Sequence, residues 1–189
     1  MSAQNWKPLV GKTAKGQELV LRRYCPEDLD LVGSWINTPE MRSKLSVEYP
    51  ISLKEEGTYL EKAMAPLGSN PTEIHLAICL EGAIIGGCGL HEISSKHRRA
   101  VVGLYIGNQE LRGLGIGSEV YRLLAEFAFK EMNLESLRAD VYEHNVASQR
   151  LHERMGFQLV GRIPKWFFRE GEYRDVFIYY LSREMWLKR

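Results

Sequence analysis

The sequence predicts an α+β domain, with one mostly antiparallel sheet flanked by helices. Two observations carry that class. Three β-rich runs at 74–80, 83–93 and 100–106 are joined by turn-prone residues, a meander and not the βαβ alternation of a parallel sheet. Helically spaced segments lie on both sides of this centre, and the chain closes on two further β-rich runs. At 189 residues, 44% of them hydrophobic, the chain can bury one sizeable core and is short for two. A single domain at 17–189 is expected behind a flexible lead-in at 1–16, which is polar and holds two glycines.

In chain order, 18–23 alternates Leu19 and Leu21 against Glu18 and Arg22, the pattern of a strand. Pro26-Glu27-Asp28 suits a first helical turn, where a missing N–H costs nothing and carboxylates face the positive end of the dipole; the helix should run to Trp35. Ser52 with Glu55 is a capping-box pattern that opens a second helix to about Met64. Glu81-Gly82 makes a two-residue hairpin turn between the first two central strands. Ile116, Val120, Leu123, Leu124 and Phe127 keep helical spacing to about Glu131. A short strand at 137–141, a helix at 145–155 and strands at 157–168 and 175–181 complete the order.

Composition excludes several function classes. Twenty-five Lys+Arg against 24 Asp+Glu leave a net charge of +1, which argues against a nucleic-acid or membrane-surface partner. Cys25, Cys79 and Cys88 are too few for a disulfide framework and lack metal-ligand spacing, so no metal is expected. The first residues lack a secretory pattern, and no apolar run approaches the roughly 20 residues of a membrane span. A cytoplasmic protein is expected.

The most informative segment is Leu111-Arg112-Gly113-Leu114-Gly115-Ile116-Gly117-Ser118, between a strand and a helix. Glycines let successive N–H groups turn inward, and a helix start adds unpaired donors, so phosphate is the natural occupant; a tight turn with a helix cap is the alternative. A dinucleotide G-x-G-x-x-G fails because Ser118 and Val120 stand where its last glycine belongs. A P-loop ending in Gly11-Lys12-Thr13 fails because Trp6 occupies its first glycine position. Arg112-x-x-Gly115-x-Gly117 resembles the pyrophosphate-binding signature of the GNAT acetyltransferases.

Three further segments carry the same resemblance, in order, over 18–186. Asn145-Val-Ala-Ser148-Gln-Arg-Leu151-His152-Glu-Arg-Met155-Gly156-Phe157 is similar to the family's N-x-x-[AS]-x-x-L-[YF]-x-x-x-G-F. Leu19-Val-Leu21-Arg22 with Glu27-Asp28-Leu29 resembles its first strand and helix. Gly171-Glu172-Tyr173-Arg174-Asp175 is similar to a hairpin of the branch that acetylates ribosomal-protein N-termini.

The resemblance implies a sheet splayed between its fourth and fifth strands, with acetyl-CoA in the gap. The main chain of Tyr105, Ile106 and Gly107 would pair with the pantetheine arm, and Arg112, Gly113, Leu114, Gly115, Ile116 and Gly117 would wrap the pyrophosphate. Asn145 would bond a cofactor amide and cap its helix. The general acid is Ser148 or His152; the latter stands where many members have tyrosine. The usual strand-four glutamate is missing from Ala100-Val101-Val102-Gly103, which leaves Glu92 as the candidate base or as an exposed strand-end side chain.

The expected reaction is acetyl transfer to a primary amine by direct attack, since no cysteine falls in a motif. The acceptor is expected to be a protein N-terminal α-amine, with a polyamine, amino sugar or antibiotic amine as alternatives. A non-catalytic acyl-CoA-binding module is the rival reading. Candidate acceptor walls are 36–64 and the hairpin carrying Trp166, Phe167, Phe168 and Tyr173, which also suggests a homodimer. Glu55-Glu56 and the pair Glu170, Glu172 do not read as an acidic cleft.

Overall fold

A computed structural model describes residues 6–45, 49–169 and 171–189. The first five residues of the lead-in, 46–48 of the acceptor wall and Glu170 lie outside the described residues. The strands are β1 (Leu9–Lys12), β2 (Glu18–Arg22), β3 (Ile74–Leu80), β4 (Ala83–Ser94), β5 (Arg99–Ile106), β6 (Ser136–Tyr142), β7 (Gln158–Arg169) and β8 (Glu172–Ser182). They form one sheet in the order β1-β2-β3-β4-β5-β6-β8-β7, antiparallel throughout except at β5–β6. The helices are α1 (Leu29–Ile36), α2 (Pro39–Lys44), α3 (Leu53–Met64), α4 (Ile116–Glu126), α5 (Val146–Arg154) and α6 (Arg183–Leu187).

Helices on both faces explain why all seven residues of β3 are buried. On one face Leu19, Leu21, Leu76, Ile78 and Leu90 pack with Val120 and Leu124 of α4. On the other, Ala77 and Cys79 meet Val32 and Ile36 of α1 and Leu60 and Ala63 of α3. The capping box is present as expected: Glu55 N–H donates to Ser52 Oγ at 3.2 Å, and Ser52 N–H to Glu55 Oε2 at 2.7 Å.

Three elements go beyond the sequence expectation. The lead-in is not wholly loose, because Leu9–Lys12 pairs with β2 as an edge strand. Thr38 caps the short α2 by accepting from Met41 N–H at 3.2 Å, with Pro39 in the first turn. Ser182 caps α6 in the same way. The helix expected to reach Glu131 changes to a π-helical turn over Phe127–Glu131.

Two motif residues prove structural. Asp28 accepts both Arg22 Nη groups, at 2.7 and 2.8 Å, and Cys25 N–H at 3.0 Å, which ties β2 to the turn before α1. Asp175 accepts Lys165 N–H at 2.8 Å and pairs with Arg162, bracing the bulge where the β7–β8 register shifts between Ile163 and Phe167. Removing the Asp28 carboxylate leaves a half-buried guanidinium without its partner, so Asp28→Ala should lose about 2 kcal/mol or more of unfolding free energy in a urea titration.

Candidate active site

β5 and β6 pair for three residues only, Arg99, Ala100 and Val101 opposite Ser136, Leu137 and Arg138. They then part, and since β1 adds a strand, this is the splay expected between strands four and five. Gly107 N–H donates to Ile85 O at 2.8 Å, on the β4 side. Antiparallel alternation places Tyr105, opposite Gly87, on that same side and turns the N–H groups of Leu104 and Ile106 into the gap. The expectation is therefore corrected for Tyr105 and Gly107. Ile106 and Leu104, the latter unmarked by the motif, both turn their N–H groups to the gap.

The glycine loop lies at the end of β5. Gly113 and Gly115 have φ of 77° and 82°, a region that favours glycine, and Gly115 is the N-cap of α4. Among the described residues the N–H groups of Gly113, Leu114, Gly115, Ile116 and Gly117 have no hydrogen-bond acceptor. Ser118 Oγ, in the first turn of α4, is buried with no partner. Five N–H groups, one orphaned hydroxyl and a helix N-terminus fit a diphosphate.

Arg112 is different. Its N–H donates to Gln109 O, its Nε to Ile106 O at 2.9 Å, and its Nη1 pairs with Glu40 of α2. The guanidinium braces the loop against the strand end, so its expected pyrophosphate contact is replaced by a supporting one.

On α5, Asn145 Oδ1 accepts Ser148 N–H at 3.2 Å, which supplies the expected cap. Ser148 is half-buried, whereas His152 is only 3% exposed. Its Nδ1 donates to Ser148 O at 2.7 Å, and its Nε2 accepts from Tyr121 Oη at 2.6 Å. Tyr179 stacks on the ring, while Phe157 and Tyr121 meet it edge-on. Burial lowers its pKa to about 4. The imidazole is neutral and fully bonded at neutral pH, so the structure does not favour His152 as general acid.

Glu92 stands apart from these residues. It lies on the bulge that ends the β4–β5 ladder, has φ of 48°, and pairs with Arg138 at 3.3 Å. Arg138 is opposite Val101, in the closed part of the β5–β6 pair. Of the hairpin aromatics, Phe167 turns inward onto Tyr142 at a centroid distance of 3.9 Å, while Trp166, Phe168 and Tyr173 are exposed.

Glu73, His75 and His91 bring ligating atoms within 4.8 Å of one another. Both His75 nitrogens are already engaged, Nδ1 by Tyr59 Oη and Nε2 by Glu73 Oε2, each at 3.0 Å. Sequence reasoning also passed over Glu56, whose buried carboxylate has no partner. Helical period marks it as inward-facing, but nothing in the sequence shows that it meets no cation.

Two outcomes follow. Gly115→Glu, with its Cβ in open space but a strained φ and a carboxylate in the cradle, should remove detectable acetyl-CoA binding in calorimetry while the circular dichroism spectrum is kept. His152 takes a proton near pH 6.5 when unfolded and only near 4 when folded. Between those values the unfolded chain binds more protons, so stability falls as pH drops through this window, by at most about 3 kcal/mol. His152→Phe should flatten that part of a stability–pH curve.

The comparisons agree with this geometry. Residues 18–158 match the family model described as an acetyltransferase (GNAT) domain. The uncharacterized N-acetyltransferase YoaA of Bacillus subtilis is 28% identical over 85% of this chain and 91% of its own. YdaF, a ribosomal N-acetyltransferase-like protein of the same organism, is 27% identical over 60% of this chain and 61% of its own. The structure of spermidine N-acetyltransferase from Vibrio cholerae with CoA and spermine superposes with a TM-score of 0.80 at 25% identity, covering 89% of this chain and 98% of that one. The parted strands, the unpaired N–H cradle and the family match lead to one identification: the chain belongs to the GNAT acetyltransferase family and is an acetyl-CoA-dependent N-acetyltransferase.

Proposed function

We propose that this enzyme transfers the acetyl group directly to a primary amine held beside the β5–β6 gap, with Ser148 as the general acid. The observation that carries the reading is the run of unpaired donors, from Leu104 and Ile106 N–H in the gap to the N–H groups of 113–117. The former can pair with pantetheine and hold a tetrahedral oxyanion, and the latter the diphosphate. Ser148 Oγ lies 3.4 Å from His152 Nδ1, whose proton goes chiefly to Ser148 O; the serine hydroxyl hydrogen is thereby left for a departing thiolate. Cysteine is a poor nucleophile here, because burial pushes the Cys88 thiol well up and raises Cys79 as well.

For the acceptor, the Gly171–Asp175 hairpin pattern and the likeness to YdaF support a protein N-terminal α-amine. A polyamine is the second reading, favoured by the whole-chain likeness to the spermidine enzyme. Thiol release from acetyl-CoA, followed with spermidine and with short peptides bearing a free α-amine, separates the two. On the better acceptor, Ser148→Ala should lower kcat by roughly 100-fold with little change in the acetyl-CoA KM. His152→Phe should stay within about tenfold of wild type in the same assay; the reverse ranking would return the acid role to His152.

A further inference from the structure

Glu56 is 1% exposed, and neither of its carboxylate oxygens has a hydrogen-bond partner. A buried carboxylate without a partner is costly unless something outside the protein completes it. It stands on α3, facing the sheet surface opposite α4. Its charge is felt by the hydroxyls of Tyr59 and Tyr105. Tyr105 Oη reaches Tyr24 Oη at 3.5 Å, while Tyr59 Oη bonds His75, whose ring meets His91 edge-on at 5.0 Å.

Gly103 lies on the same face, two residues before Tyr105, and a Cβ there would meet nothing within 4 Å. The surface is thus open along β5 at Gly103. Tyr105 links the two halves of the site, since its ring belongs to the Glu56 cluster and its neighbours Leu104 and Ile106 present N–H groups to the gap.

We infer that Glu56 receives the ammonium group of the acceptor and takes its proton, as the base that the missing strand-four glutamate would otherwise supply; this rests on the acetyl-transfer reading above. One N–H bond of the ammonium breaks and its proton passes to a Glu56 oxygen. The freed nitrogen pair attacks the thioester carbonyl, and the C–S bond then breaks with its electron pair on sulfur. Ser148 Oγ–H protonates the thiolate, the second proton of the amide nitrogen restores the serine hydroxyl, and Glu56 then releases its proton to solvent.

Burial raises the Glu56 carboxyl above its usual range, which suits a base working near neutral pH. The titratable groups facing it are Tyr59 on its own helix, Tyr24 before α1, His75 with Glu73 on the β3 side, His91 on β4 and Tyr105 on β5. Burial shifts the three tyrosines upward and His91 downward.

The test uses the full chain saturated with acetyl-CoA, with spermidine, a peptide bearing a free α-amine, and glucosamine as acceptors between pH 6 and 9. Glu56→Gln is expected to bind acetyl-CoA normally and to lose at least 100-fold in kcat/KM for the amine at pH 7. The deficit should shrink as pH rises and the amine loses its proton unaided, a change that a merely structural role would not produce. Glu56→Leu should lose the same activity while its Tm is unchanged or higher, since an orphaned polar group is removed from a core. Glu56→Gln within threefold of wild type across the range overturns the assignment and leaves acetyl transfer standing. Wild type that binds acetyl-CoA but acetylates none of the three amines overturns the transfer reading, and Glu56 with it.

Discussion

A buried main-chain N–H without an acceptor costs about 1–3 kcal/mol, and the parting of β5 from β6 creates such groups in the middle of the sheet. An ordinary ladder would have closed over Leu104 and Ile106. Here three parallel pairs hold the strands at one end, and α5 follows directly from the free end of β6. The gap has a mouth at the glycine loop, because β5 runs straight into it. A ligand with amides along one part and a diphosphate at the end completes both sets of donors.

Satisfied and unsatisfied polar groups divide the polar chemistry of the chain into two kinds. His152, Asp28, Asp175 and Arg112 each have their bonding capacity taken up by protein atoms, and each serves to hold elements together. Ser118 Oγ and the Glu56 carboxylate are buried and have nothing. A protein gains no stability from such groups, so their explanation lies in what binds. By this criterion a histidine at a family tyrosine position is core, and a glutamate that no motif contains becomes a candidate for the site.

Most of the fold was legible because period and turn chemistry act locally. Leu19 and Leu21, Ser52 with Glu55, and the spacing of Val120, Leu123 and Leu124 specify a strand, a helix start and a buried helix face without reference to the rest of the chain. The edge strand Leu9–Lys12 was not, since its four residues alternate weakly and gain their place only from β2. Likewise α2 has six residues, too few for a period to show. At the site, the loop's backbone conformation could be read from Gly113 and Gly115, because their positive φ favours glycine. Side-chain functions were harder: Arg112, Glu92 and His152 have the right chemistry, and their partners Glu40, Arg138 and Tyr121 are distant in sequence.

The same division explains why the cofactor is easier to read than the acceptor. The groups proposed to meet acetyl-CoA are main-chain N–H groups on a fixed frame, and a fixed frame demands particular glycines at particular spacings. The face proposed for the acceptor is the one covered by α1 and α3, where side chains from α3, β3, β4 and β5 converge. A surface assembled from four elements can change its polarity one residue at a time without disturbing the gap. Motif likeness therefore points to the donor and the reaction, while the proposed handling of the amine rests on individual groups such as Glu56, whose environment exists only in the folded chain.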